Sequence, residues 1–167
     1  MVTKQLIVSE FEKRVFDESY PRIYKCLTMI KDEDLWKQVD TNVPAIGNLI
    51  LHLCGNARQW ILSGLGDKLD NRNREQEFVP HQKIKKSELI FLLENLKMNL
   101  KQVLHSISEK SLLESFIIQG FVVTGFSAIV HVLEHFSYHT GQITTLTKIH
   151  TSRETGYYSG LDLNQSN

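Results

Sequence analysis

The sequence predicts an all-α protein, a four-helix bundle with a long second connection and a small β-like crossover before the last helix. Three observations carry that prediction. Four long segments keep their apolar residues at helical spacing. Only three prolines interrupt 167 residues. A run rich in β-branched residues, between Ser115 and Gly125, is short. With 41% hydrophobic residues, residues 1–167 suffice for a single domain that buries roughly two thirds of the surface its unfolded chain exposes. No internal repeat, low-complexity run or composition shift marks a domain boundary.

In the first segment Phe16, Tyr20, Ile23, Tyr24, Leu27 and Ile30 share one face. Pro21 falls inside that pattern, so either the helix starts near Ser19 or a segment from about Leu6 runs into a kink there. The second helix opens at Asn42 as N-cap, with Pro44 just inside, and stops at Ser63-Gly64-Leu65-Gly66. Its apolar face is Ile46, Leu49, Ile50, Leu53, Ala57, Trp60 and Ile61. A polar connection follows from Asp67 to Lys86, containing Pro80, and loops of that length in compact domains are often functional. Ser87 is the expected N-cap of the third helix, whose stripe runs from Leu89 to Ile107. The Gln119-Gly120 pair between β-branched flanks suggests an extended crossover or small hairpin. The fourth helix starts near Thr124 or Ser127 and reaches about His150, and the polar tail from Thr151 is expected to pack loosely.

Nineteen basic and nineteen acidic residues cancel, so no overall field draws in phosphate backbones or anionic lipid, and no nucleic-acid partner is expected. Cys26 and Cys54 lie within helical patterns and read as buried reduced thiols. The start of the chain is not a secretory signal, and no apolar run approaches the eighteen or so residues that span a bilayer. A soluble, cytoplasmic protein without membrane contact is the expectation.

Chemistry concentrates in the fourth helix, where His131, His135 and His139 recur every fourth residue and so stack along one face. On a wheel of about 100° per residue, His135 and His139 border the buried arc while His131 lies further round. His52 in the second helix occupies the same kind of border. Such positions point into the seams where bundles assemble metal sites from facing helices. Three histidines and an open coordination position would make a reactive centre, with a metal-bound water or thiolate as nucleophile. The H-E-x-x-H metalloprotease pattern is absent. Tyr138 and Gln142 fall beside the histidines as supporting groups, and His131 is either an outer partner or a substitute ligand. Arg58, Arg72 and Arg74 read first as surface charges, with a clamp for a substrate carboxylate near the open metal position as the alternative, Arg72 or Arg74 being the ones expected to bind an anionic group.

The segment Glu134-His135-Phe136-Ser137-Tyr138-His139-Thr140-Gly141-Gln142-Ile143 resembles the E-H-x-x-x-H-x-G-Q-I signature of the DinB-like proteins. The stretch from Asn48 through His52 to Trp60, followed by Asn71 to Phe78, is similar to an uncharacterised branch of that superfamily. The resemblance implies a DinB-like four-helix bundle, a homodimer, and a divalent metal, zinc or nickel, held by His52, His135 and His139. Characterised members of that superfamily include thiol-dependent transferases and isomerases, and with the metal-bound nucleophile the leading expectation is a metal-dependent transferase or hydrolase acting on a small-molecule electrophile, with a low-molecular-weight thiol as cosubstrate. The long Asn71-to-Phe78 loop departs from the thiol-transferase members. The alternatives are a non-catalytic metal-binding dimeric scaffold and a small-ligand-binding protein.

Overall fold

Two helical rods open the chain, and each widens part-way into a π-helical turn. The computed structural model describes residues 3–79 and 84–165; Pro80 lies outside the described residues. In the first rod, α1 (Lys4–Glu12) passes through a π-helical stretch (Lys13–Ser19) into α2 (Tyr20–Met29). Pro21 therefore sits in the first turn of α2, just after a place where the hydrogen-bond ladder has already shifted. Tyr20 N–H donates to the Val15 carbonyl, five residues back, and Ser19 Oγ donates to the Arg14 carbonyl at 2.9 Å. Of the two starts that the sequence allowed, the one from near Leu6 is realised, with a π-turn absorbing the proline.

The second rod is α3 (Ile46–Ala57), continued by a π-helical turn (Arg58–Ser63). Its start corrects the expected Asn42 cap. Ala45 is the capping residue, and its N–H donates to Asn48 Oδ1 at 3.2 Å, because the Asn48 side chain supplies from inside the helix what a capping side chain supplies from outside. The α4 helix (Lys86–Ser106) likewise begins before Ser87. Glu88 accepts from Lys85 N–H at 2.8 Å, which moves the cap two residues upstream. Thr124 does cap α5 (Gly125–Thr151), its side chain accepting from Ser127 N–H.

Between α4 and α5 the crossover is a hairpin: β1 (Ser115–Ile118) pairs antiparallel with β2 (Phe121–Thr124), Ile118 opposite Phe121. Gln119 and Gly120 both adopt positive φ, +53° and +81°, the backbone a two-residue hairpin turn requires. Gln119 is held there by its side chain, which donates to Gln59 Oε1 at 2.6 Å and accepts from Trp60 Nε1 at 3.3 Å.

The rods form a ring in which α5 packs against α2 and α3, α3 against α4, and α4 against α1. Phe11, Phe16, Tyr20 and Phe136 run edge to face and then stacked through the middle, with centroids 5.5 to 5.8 Å apart. Tyr20 satisfies its hydroxyl by donating to the Leu93 carbonyl at 2.9 Å. Beyond α5, Thr155 is buried, and the Tyr157 hydroxyl meets Thr144 Oγ1 at 2.8 Å and Cys26 Sγ at 3.1 Å. Among the described residues no helix is long and apolar enough to cross a membrane. For function, the seam between α3 and α5 is the consequence that matters.

Candidate metal centre

His52 on α3 meets His135 and His139 on α5 in that seam. Ring centroids lie 4.8 Å (His52–His135), 5.0 Å (His52–His139) and 4.3 Å (His135–His139) apart. Each ring offers one nitrogen such that all three atoms fall within 4.8 Å of one another, a set that could hold a metal ion. The four-residue spacing on α5 brings two of these rings together, and packing against α3 supplies the third.

Hydrogen bonds decide which nitrogens face inward. Glu77 Oε2 lies 2.7 Å from His52 Nδ1. Burial pushes the Glu77 carboxyl up, but hydrogen bonds from Arg72 and His52 outweigh it and hold the group below the ordinary carboxylate range. An ionised carboxylate only accepts, so His52 carries its proton on Nδ1 and leaves Nε2 free. The Arg72 Nη2 contact with the same nitrogen, at 3.2 Å, then sets donor against donor. It follows from Arg72 pinching Glu77, through Nε to Oε1 at 2.7 Å and Nη2 to Oε2 at 2.8 Å. On His139, Nδ1 lies 2.7 Å from Gln142 Oε1, while the Gln142 amide nitrogen faces the Tyr138 hydroxyl at 3.4 Å, so Nε2 is again the free nitrogen. His135 Nε2 is buried and has no hydrogen-bond partner among the described residues.

Electrostatics favour neutral rings. Burial, then the neighbouring His139 and His52, pushes His135 from the usual 6.5 to about 3. Burial lowers His139 as well, with the Gln142 bond opposing and His52 adding to the depression. Three imidazoles, two anchored through Nδ1 and one with an orphaned buried nitrogen, are the donor set that a borderline divalent ion prefers.

A model of the family described as "Protein of unknown function (DUF1572)" matches residues 7–159. The chain belongs to this family. Its fold is that of a DinB-like helical bundle. The crystal structure of a DinB-like protein from Bacillus cereus, 17% identical, covers 88% of this chain and 92% of its own with a TM-score of 0.68. That of a conserved protein from Enterococcus faecalis, 15% identical, covers 87% and 98% with a TM-score of 0.70. At such identities the likeness is one of fold. No curated protein matches the chain in sequence.

Other residues singled out in the sequence lie around this cluster in different ways. His131 stays outside it, stacked on Trp60 with centroids 3.7 Å apart and its Nε2 3.1 Å from Asn56 Nδ2. Tyr138 is 63% exposed and its ring meets His139 edge-on at 4.9 Å. Arg72 is drawn inside: its side chain is 5% exposed, and Nη1 donates to Gln59 Oε1 at 2.9 Å. Arg74 lies over the Phe78 ring, which in turn tilts against His52 at 4.9 Å.

Sequence reasoning missed Glu77. It stands 25 residues from His52 in a short 3-10 turn, Glu75–Phe78, of the long polar connection. Asn48 ties this turn to α3 by donating to the Glu77 and Val79 carbonyls at 2.9 and 3.0 Å. Gly55, three residues after His52, carries the faint local signal. A Cβ there would sit 1.9 Å from Glu77 Oε1 and 3.0 Å from Arg72 Nε, so the ion pair reaches the helix only because that position is glycine.

The depressed histidines set a pH dependence. Unfolded imidazoles protonate as pH falls through about 6.5, whereas folded His135 stays neutral down to about 3. Between those values the unfolded state binds more protons, so stability rises with pH. Metal-free protein is expected to lose stability steadily as pH drops from 6.5 towards 5, above the window in which carboxylates such as Glu77 contribute. Urea midpoints measured at pH 7.5, 6.5, 5.8 and 5.0 check this; level midpoints would show that the rings do not remain neutral in the fold.

Proposed function

We propose that the protein is a divalent-metal-dependent enzyme, with His52, His135 and His139 holding zinc or nickel. We read it as a transferase or hydrolase for a small electrophile, with a low-molecular-weight thiol as cosubstrate. The supporting observation is the orphaned, buried Nε2 of His135 beside two imidazoles whose Nδ1 atoms are already anchored. A buried nitrogen without a partner costs about 1–3 kcal/mol, and a ligand to an ion removes that cost. When bound, such an ion supplies Lewis acidity and lowers the pKa of a nucleophile.

The chain's own residues then do the orienting. Glu77 and Gln142 fix the tautomers of His52 and His139, and Arg72 holds Glu77 in place rather than contacting substrate. Tyr138, exposed beside His139, offers a hydroxyl at the rim for orienting a ligand. His131 supports the site by filling the space between Trp60 and His135. Arg74 is the residue left to meet an anionic substrate group. We further read the protein as a cytoplasmic homodimer, on the DinB-like resemblance.

Metal analysis of protein purified without an affinity tag tests the reading. About one equivalent of zinc, nickel, iron or manganese per chain, with a melting temperature that falls on chelation and recovers with added metal, is the expected result. Substoichiometric metal together with no thermal response to added metal overturns it. A cobalt-substituted protein whose visible spectrum shifts with an added thiol has an exchangeable position and supports catalysis. A spectrum that no exogenous ligand changes supports the scaffold instead.

A further inference from the structure

Behind the Glu77–Arg72 pair lies a cavity of about 360 Å³, walled by the π-helical turn after α3 and by the start of the long connection. None of His52, His135 and His139 lines it. Its charge is unbalanced. Glu77 neutralises Arg72, and Asp70 is engaged by Gln59 Nε2 at 2.7 Å and the Arg72 N–H at 3.0 Å. Arg58 and Lys68 also line the cavity, and among the described residues neither side chain makes a hydrogen bond or ion pair. Asn71 and Asn73, on the same wall, likewise keep their amides unengaged.

We propose that this cavity binds the oxyanion end of a small molecule, a carboxylate or phosphate group, between Arg58 and Lys68. A guanidinium and an ammonium converging on one concave space supply a planar fork and a point charge, the pair of donors that an oxyanion accepts from. Arg72 adds to the same wall. Glu77 and Gln59 take three of the five N–H donors a guanidinium carries, and Glu77 balances its charge, so the net positive charge of the wall comes from Arg58 and Lys68. Arg58 and Gln59 are the first two residues of the π-helical turn and both line this wall; such turns are frequent at functional sites. The Asp70 carboxylate opposes a bare anion but is already covered by two donors. The site stands apart from the metal reading, since it uses no metal ligand.

Titration calorimetry with inorganic phosphate and, separately, with succinate, at constant ionic strength, tests the proposal. It is run on the protein as purified and again after chelation. Saturable binding of either anion in both preparations, weakened at least tenfold in the Arg58→Ala/Lys68→Ala double variant, is the expected result. Both side chains point to solvent-exposed positions, so an unchanged melting temperature of the double variant shows that it is folded. Phosphate alone assigns a phosphorylated ligand; succinate alone assigns a carboxylate. Absence of saturable binding, binding that survives the double substitution, or binding that disappears on chelation each overturns the proposal. The last outcome would place the anion on the metal and leave the metal reading intact.

Discussion

His135→Ala is expected to abolish stoichiometric metal binding while leaving the metal-free protein close to wild-type stability. Losing one of three imidazoles should cost metal affinity well beyond the 10–100-fold typical of changes to outer supporting groups. The stability side runs differently. Truncating a half-buried imidazole removes packing, but it also removes a buried nitrogen that has no partner among the described residues and is worth about 1–3 kcal/mol of destabilisation. The two effects oppose, so the net change in the metal-free state is expected within about 1 kcal/mol. Denaturant unfolding after chelation, beside metal titration by competition with a chromophoric chelator, measures both. A variant that still binds one equivalent with an affinity within tenfold of wild type would remove His135 from the site. One that is destabilised by several kcal/mol without metal would show that His135 is a core residue. The same variant should lose part of the acid sensitivity between pH 6.5 and 5, because the ring with the strongest depression is gone.

How far the sequence reaches is visible from which residues it placed. Helical periodicity fixes a register once a helix is long, so α5 put His135 and His139 on the buried border and His131 further round. In the structure those two converge and His131 stacks on Trp60 instead. Helix ends were less legible because the capping groups are not where the usual signals lie. Asn48 and Glu88 reach back from inside α3 and α4, and their side-chain acceptors shift both starts away from Asn42 and Ser87. The π-helical turns at Lys13–Ser19 and Arg58–Ser63 leave no distinct sequence pattern, since one added residue in a turn barely disturbs an apolar stripe. Glu77 was out of reach for a different reason. Its contact with His52 depends on where a polar connection closes, and that closure is written in Asn48 and Gly55, whose roles emerge only once the helix is packed.

Removing the Glu77 carboxylate is expected to damage the fold and the metal site together. Glu77 is 8% exposed and joins Arg72 to His52. In Glu77→Ala the Arg72 guanidinium stays buried without its counter-ion, a change that costs roughly 3–5 kcal/mol when one partner of a buried pair is deleted. His52 Nδ1 loses its acceptor at the same time, so ring orientation and tautomer are no longer fixed. Metal affinity should fall about 10–100-fold. Glu77→Gln separates the two losses. An amide oxygen can still accept from His52, but the amide nitrogen then faces Arg72 donors, so stability should fall while metal affinity is retained better than in the alanine variant. Gly55→Ala supplies an independent route to the same state, since its Cβ would lie 1.9 Å from Glu77 Oε1 and must displace it. Alanine favours an α-helix over glycine by about 1 kcal/mol, so an isolated helix effect would stabilise. Net destabilisation of Gly55→Ala, with weakened metal binding, is the signature of a displaced Glu77–Arg72 pair, since the added Cβ meets both side chains. Chelator competition and urea unfolding decide the matter. If Glu77→Ala binds metal within twofold of wild type and unfolds within 1 kcal/mol of it, Glu77 neither positions His52 nor anchors the connection.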